Sequence, residues 1–204
     1  MAARKKGQKP AKAKKPAKKP AKKAAKKPAK KPAARRPVAA ASAYNPWREF
    51  AAEYARESAT TVRVMRNYPA EQPTFQPHPR SSDAAKLFWT FVVEQKIALG
   101  AIKGTLQLGG GMGTPPATLA ESIAAFEQGV AQVVAAANAA KPDHWARLQP
   151  FYGKGGQIAQ YPAGFLARIM FYDQIHHRGQ LSVYVRMAGG KVPSIYGPSA
   201  DEAM

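Results

Sequence analysis

Downstream of residue 44 the apolar positions recur every three to four residues, a spacing that predicts helix wherever it is sustained. Asn45 followed by Pro46 reads as a cap and a first helical position. Trp47, Phe50, Tyr54, Thr61 and Met65 then hold one face until the prolines at 69, 73, 77 and 79 end it. A second helix is predicted from about Ser82 to Lys103, with Leu87, Phe91, Ala98 and Ile102 on its stripe and Lys86, Lys96 and Lys103 opposite. Thr118-Leu-Ala-Glu121 is a capping box that opens a third helix, faced by Leu119, Ile123, Phe126, Val130 and Val133 or Val134. The fourth runs from near Pro162 to about Met187, where Gly189-Gly190 stops it. No stretch alternates well enough to predict a strand. Four such helices pack most economically as an all-α four-helix bundle, with residues 104–117 and 143–161 as Gly- and Pro-rich connections. The run GGGMG has no preceding strand and no lysine, so it reads as linker rather than phosphate loop.

Charge divides the chain in two. Of 204 residues with net charge +20, residues 1–37 hold 17 Lys or Arg and no acid, leaving 15 basic and 12 acidic residues beyond them, a net of +3. Residues 1–44 are therefore expected to form a disordered basic tail, and 45–204 a single bundle domain. The tail's stretch KKPAKKPAKKAAKKPAKKPAARRP, residues 14–37, repeats a Lys-Lys-Pro-Ala unit with no aromatic or β-branched residue, so it has nothing to bury against the entropy of ordering. Its lysine pairs, Lys14, Lys15, Lys18, Lys19, Lys22, Lys23, Lys26, Lys27, Lys30 and Lys31, are the kind of array that neutralises phosphates and gains from counterion release. Non-specific binding to nucleic acid is the expectation. The composition resembles the basic tails of linker histones and of bacterial histone-like proteins.

The sequence has no cysteine, which removes disulfides, thiol chemistry and cysteine-ligated zinc. No apolar run reaches the roughly 18 residues of a membrane span, and the N-terminus lacks the apolar segment of a secretory signal. The cytoplasm, with nucleoid association through the tail, is the expected compartment.

Candidate chemistry lies in YDQIHHRGQLSVY, residues 172–184, which holds two of the four histidines. On a helical wheel with Asp173 at zero, His177 falls at about +40°, Gln180 at about −20° and Tyr184 at about +20°. Arg168, Arg178 and Arg186 fall at least roughly 140° away. If the arginines mark the wet face, Asp173, His177 and Gln180 point inward and His176 stands at the border. A carboxylate and an imidazole one turn apart can share a metal, form a hydrogen bond or make an ion pair.

The segment DQIHHRGQLSVYVRMAGGKVPSIYGPSADE resembles the C-terminal part of the DinB-like superfamily, and HHRGQ is its most specific portion. These four-helix bundles share a structural group with YfiT-like metal hydrolases and bacterial thiol-dependent transferases. The resemblance covers about residues 45–198. It implies a divalent metal held by three histidines, one from the second helix and two, four residues apart, from the last. His177 matches one of them. Asp173 stands in another's place, and the second helix has no histidine, so Glu94 is its metal-competent acid. The implied set is Glu94, Asp173 and His177, with His176, Gln180 and Tyr184 around it. Two carboxylates and one imidazole suit zinc, manganese, iron or nickel. The implied activities are metal-dependent hydrolysis or transfer to a small thiol; the alternative is a DNA-binding bundle that has lost its metal. Related bundles dimerise, and Phe171, expected on the exposed side of the last helix, would serve a homodimer. The residues after Gly190 are expected to fold back over one end of the core.

Overall fold

The computed structural model describes residues 44–203 apart from Met112. α1 (Pro46–Arg66) starts on Asn45, whose Oδ1 accepts from the Trp47 amide at 3.1 Å. The Asn45 Nδ2 donates to the Ala140 carbonyl at 3.0 Å, pinning this start to the end of the third helix. α2 (Ala84–Lys103) is capped by Asp83, which accepts from the Lys86 amide at 2.8 Å, and stops at Gly104 with φ 73°. α3 (Leu119–Ala139) opens on the Thr118–Glu121 capping box, with both reciprocal bonds made. α4 (Ala163–Met187) ends ahead of Gly189. The four helices predicted from apolar spacing are all present. Among the described residues, none is long and apolar enough to cross a membrane.

One connection departs from expectation. After a 3-10 turn at Pro142–Ala146, residues 148–162 form an antiparallel hairpin, β1 (Leu148–Tyr152) paired with β2 (Ile158–Pro162) in the register Leu148↔Pro162. Both strands are edges, so Pro150 and Pro162 cost them no interior ladder bond. Gln149 is buried and its amide donates to the Ala101 carbonyl, fixing the hairpin to the end of α2.

α1 and α2 each pack against both α3 and α4, so the two chain-adjacent helices α1 and α2 stand on a diagonal of the bundle, as do α3 and α4. The core has two apolar clusters. One gathers Trp47, Phe50, Tyr54, Ile102, Val133 and Phe171; the other gathers Met65, Tyr68, Phe88, Phe91, Leu181 and Val185. Buried polar residues belong to the same interior: Glu57 and Ser58 of α1, Glu94 and Gln95 of α2, Gln174 and Arg178 of α4.

Two expectations for α4 are overturned here. Phe171 is 2% exposed and packs on Phe50 and Tyr54, so it offers nothing to a dimer. Arg178 does not mark a wet face: it is 1% exposed, and its Nη2 lies 2.8 Å from Glu57 Oε2 while Nη1 donates to the Glu57 carbonyl at 3.0 Å. A guanidinium with its charge matched and its donors used can be buried. The Tyr196 hydroxyl joins this pair by donating to Glu57 Oε2 at 2.6 Å, which brings the C-terminal segment back over α1 and α4. Val192 and Ile195 cover the second apolar cluster, and Arg186 holds Asp201 at 2.7 Å. The segment thus folds back as expected.

Candidate metal centre

With Arg178 inside, the buried line of α4 is centred near Gln174, about 100° round the helix from Asp173. Asp173 and His177 therefore stand at the edge of the core rather than in its middle. The Asp173 side chain is 45% exposed and that of His177 18%. α2 passes this edge and presents Glu94, which is 4% exposed. His177 Nδ1 lies 2.7 Å from Glu94 Oε1 and 4.0 Å from Asp173 Oδ1. One ligand atom from each of the three lies within 4.8 Å of the others, and among the described residues no other such group of three occurs.

The 2.7 Å approach lacks the alignment of a hydrogen bond. Both Glu94 oxygens and His177 Nδ1 are shut from solvent with no aligned partner. Burial pushes the Glu94 carboxyl up to about 7, against the pull of His177 in the other direction. The neighbouring Glu94 carboxylate raises the His177 imidazole, overriding its own burial. Buried polar atoms are normally satisfied, and three unsatisfied ones converging from two helices form a cluster that a divalent cation would complete. Two carboxylates and an imidazole suit such an ion.

The remaining expected residues are dispersed. His176 and Gln180 are exposed and bound to each other at 2.9 Å, so Gln180 does not point inward. Tyr184 is buried, and its hydroxyl donates to the Ser82 carbonyl at 2.8 Å. Gln180 and Tyr184, with Ser81, Ser82, Thr90 and Val183, line a cavity of about 430 Å³ that His177 also borders. The tail lysines, Lys14 to Lys31, lie outside the described residues.

Two buried amides lie just inside the centre, of which spacing on α2 places Gln95 inward and spacing on α4 leaves Gln174 unmarked. Gln95 and Gln174 each follow an acid of the candidate set and are buried, Gln95 donating to the Phe126 carbonyl at 3.0 Å and Gln174 to that of Phe91 at 3.3 Å. Gly129 lets Gln95 lie against α3, since a Cβ there would overlap its amide. Tyr54, its hydroxyl pushed up to about 12 by burial, lies beside both amides. The visible signal was an acid–amide pair repeated on two helices, at 94–95 and 173–174.

A solved DinB-like protein from Bacillus cereus superposes with a TM-score of 0.61 at 18% identity, covering 72% of this chain and 95% of that one. A second, YjoA from Bacillus subtilis, gives 0.57 at 15% identity over 70% and 94%. The uncharacterized protein YrdA of Bacillus subtilis is 49% identical over 43 residues, 21% of this chain, so the match spans about a quarter (26%) of YrdA. The model of the DinB family matches residues 41–204, and the chain belongs to that family.

Proposed function

We propose that Glu94, Asp173 and His177 hold a divalent metal ion, and that the bundle uses it in hydrolysis of a small substrate or transfer to a small thiol. The observation that carries this reading is the approach of Glu94 and His177 to 2.7 Å, with three buried atoms between them that make no aligned hydrogen bond and a second carboxylate at the rim. A metal held by three protein groups has positions left for water or substrate, and it lowers the pKa of what it binds. The chain supplies the rest. Glu94 is fixed by burial between α2 and α4, and His177 orients on it. The half-exposed Asp173 leaves the outer side open to solvent. Hydroxyl and amide groups of the adjoining cavity can orient a small polar molecule, while the Tyr184 hydroxyl, committed to Ser82, acts as wall. Elemental analysis of the full-length protein, followed by titration with zinc, manganese, iron and nickel, tests the reading. About one ion per chain supports it, and failure to bind any of the four ends it.

A second reading is favoured by the 17 unmatched cations of residues 1–37. Here the tail binds nucleic acid without sequence preference and places the bundle on the nucleoid, and Glu94 and His177 form an ion pair that only specifies the interior. Mobility shifts over a salt series compare the full chain with one starting at residue 40. Equal binding by both would remove the tail from the account.

A further inference from the structure

The glycine-rich run after α2 does more than connect. The Thr105 amide donates back to the Gly100 carbonyl at 2.9 Å, and a Cβ on Gly100 would stand 3.2 Å from the Leu106 Cα, so the stem of the loop lies directly on the helix. Further along, the loop lifts away: nothing lies within 4 Å of where a Cβ would stand on Gly109, Gly110 or Gly111. Between this loop, the outer face of α2 and the end of β1 is a cavity of about 540 Å³. Val93, Ile97, Leu106, Leu108, Phe151 and Tyr152 give it apolar walls. A hollow of this size and lining is of the kind that takes small molecules.

Lys96 is the one charged side chain among the described residues that line it. The same lysine borders a second cavity of about 310 Å³ between α2 and α3, whose lining adds the amides of Gln128 and Gln132. Lys96 therefore stands on the ridge between the two. Its ammonium lies 4.4 Å from the centre of the Trp89 ring, and no carboxylate among the described residues is within ion-pair distance of it. A cation without an anion of its own, beside an apolar hollow, is complemented by a molecule with one negative charge on an apolar body.

We infer that the two cavities form one binding site for a small amphipathic monocarboxylate. Its head lies on Lys96 beside Gln128 and Gln132, and its apolar body runs beside the glycine loop between Ile97 and Phe151. The single lysine sets the charge of the head. A phosphate monoester carries nearly two negative charges, and no second cation lines either cavity. The glycine rim leaves the mouth free of side chains, so a chain-like body can enter without any helix moving. Glu94 is next to Val93 in sequence but lines neither cavity, and the inference is independent of the metal reading.

The test must separate this site from the cations of residues 1–37, which attract anions of any shape. Calorimetric titration of the nuclease-treated full-length protein with acetate, hexanoate, octanoate and decanoate, in about 0.3 M salt to screen those charges, does so. One carboxylate per chain should bind, up to about fourfold tighter for each added methylene. Lys96→Met keeps the apolar stem and removes the charge; it should weaken decanoate about fivefold with an unchanged circular dichroism spectrum. Lys103→Met, also exposed on α2 but outside both linings, should bind decanoate as the unaltered protein does. Ile97→Glu sets a second carboxylate among the apolar walls and should abolish binding. Decanoate held no better than acetate would overturn the inference. So would several decanoates per chain, or an equal effect of the substitutions at 96 and 103.

Discussion

Glu94 meets its environment as a carboxyl with too little water and one close cation. Burial raises its pKa from 4.5 to about 7, and its nearness raises that of His177 above 6.5. Folded values above the unfolded ones mean that both groups favour folding at low pH. For Glu94 that contribution is complete below its ordinary value and is lost as pH rises through about 7; for His177 it is lost above its raised value. Thermal melts of the metal-free protein should therefore fall in midpoint between about pH 5 and about pH 8. Metal binding needs a charged Glu94 and a neutral His177, so apparent affinity should climb over the same range, which titration at each pH would show. Glu94→Gln should weaken metal binding more than about 100-fold, since changes one shell further out cost roughly 10–100-fold. The same substitution should leave the metal-free protein at least as stable near pH 8, because it removes an ionised group from a dry site. The i, i+4 pair Asp173 and His177 was legible from spacing, and Glu94 from the family resemblance. Their orientation was not, because Arg178 shares a helical face with Arg168 and Arg186 in the sequence, while the partner that buries it, Glu57, lies 121 residues away.

Helices carried their own signals. Asn45-Pro46 and the Thr118–Glu121 box mark starts by chemistry confined to one turn, so α1 and α3 could be placed without knowing their neighbours. The hairpin could not. β1 and β2 are five residues each, largely exposed on β2, with a proline in each strand and no alternation to separate them from loop. The 3-10 turn before it matters to α4, since Gly164 lies flat against Trp145 of that turn, where a Cβ would overlap the indole. Gly164→Ala should cost about 1–3 kcal/mol and alter Trp145 fluorescence, which denaturant titration and emission spectra would record. The pair that joins α4 to α1 is a larger commitment. Arg178→Ala strands Glu57 in a nearly dry place and should cost about 3–5 kcal/mol by urea denaturation. Glu57→Gln combined with Arg178→Met should recover most of that loss.

Across the whole molecule, charge and topology act on different parts. The 17 cations of residues 1–37 predict that DNA binding by the full chain falls roughly 10³-fold or more between about 50 and about 200 mM salt. A chain starting at residue 40, with its net of +3, should show no such slope in mobility-shift assays. Which helices become neighbours was not legible at all, because no local pattern records it. The crossed order has a kinetic consequence. Where sequential helices lie side by side, a bundle can zip from one hairpin to the next. Here only α2 and α3 are adjacent both in chain and in space, and the other pairings close long loops first. Refolding should be slow for a mainly helical protein. Since the candidate ligands come from α2 and from α4, an ion held there would not nucleate assembly and would only clasp a bundle whose last helix has already arrived.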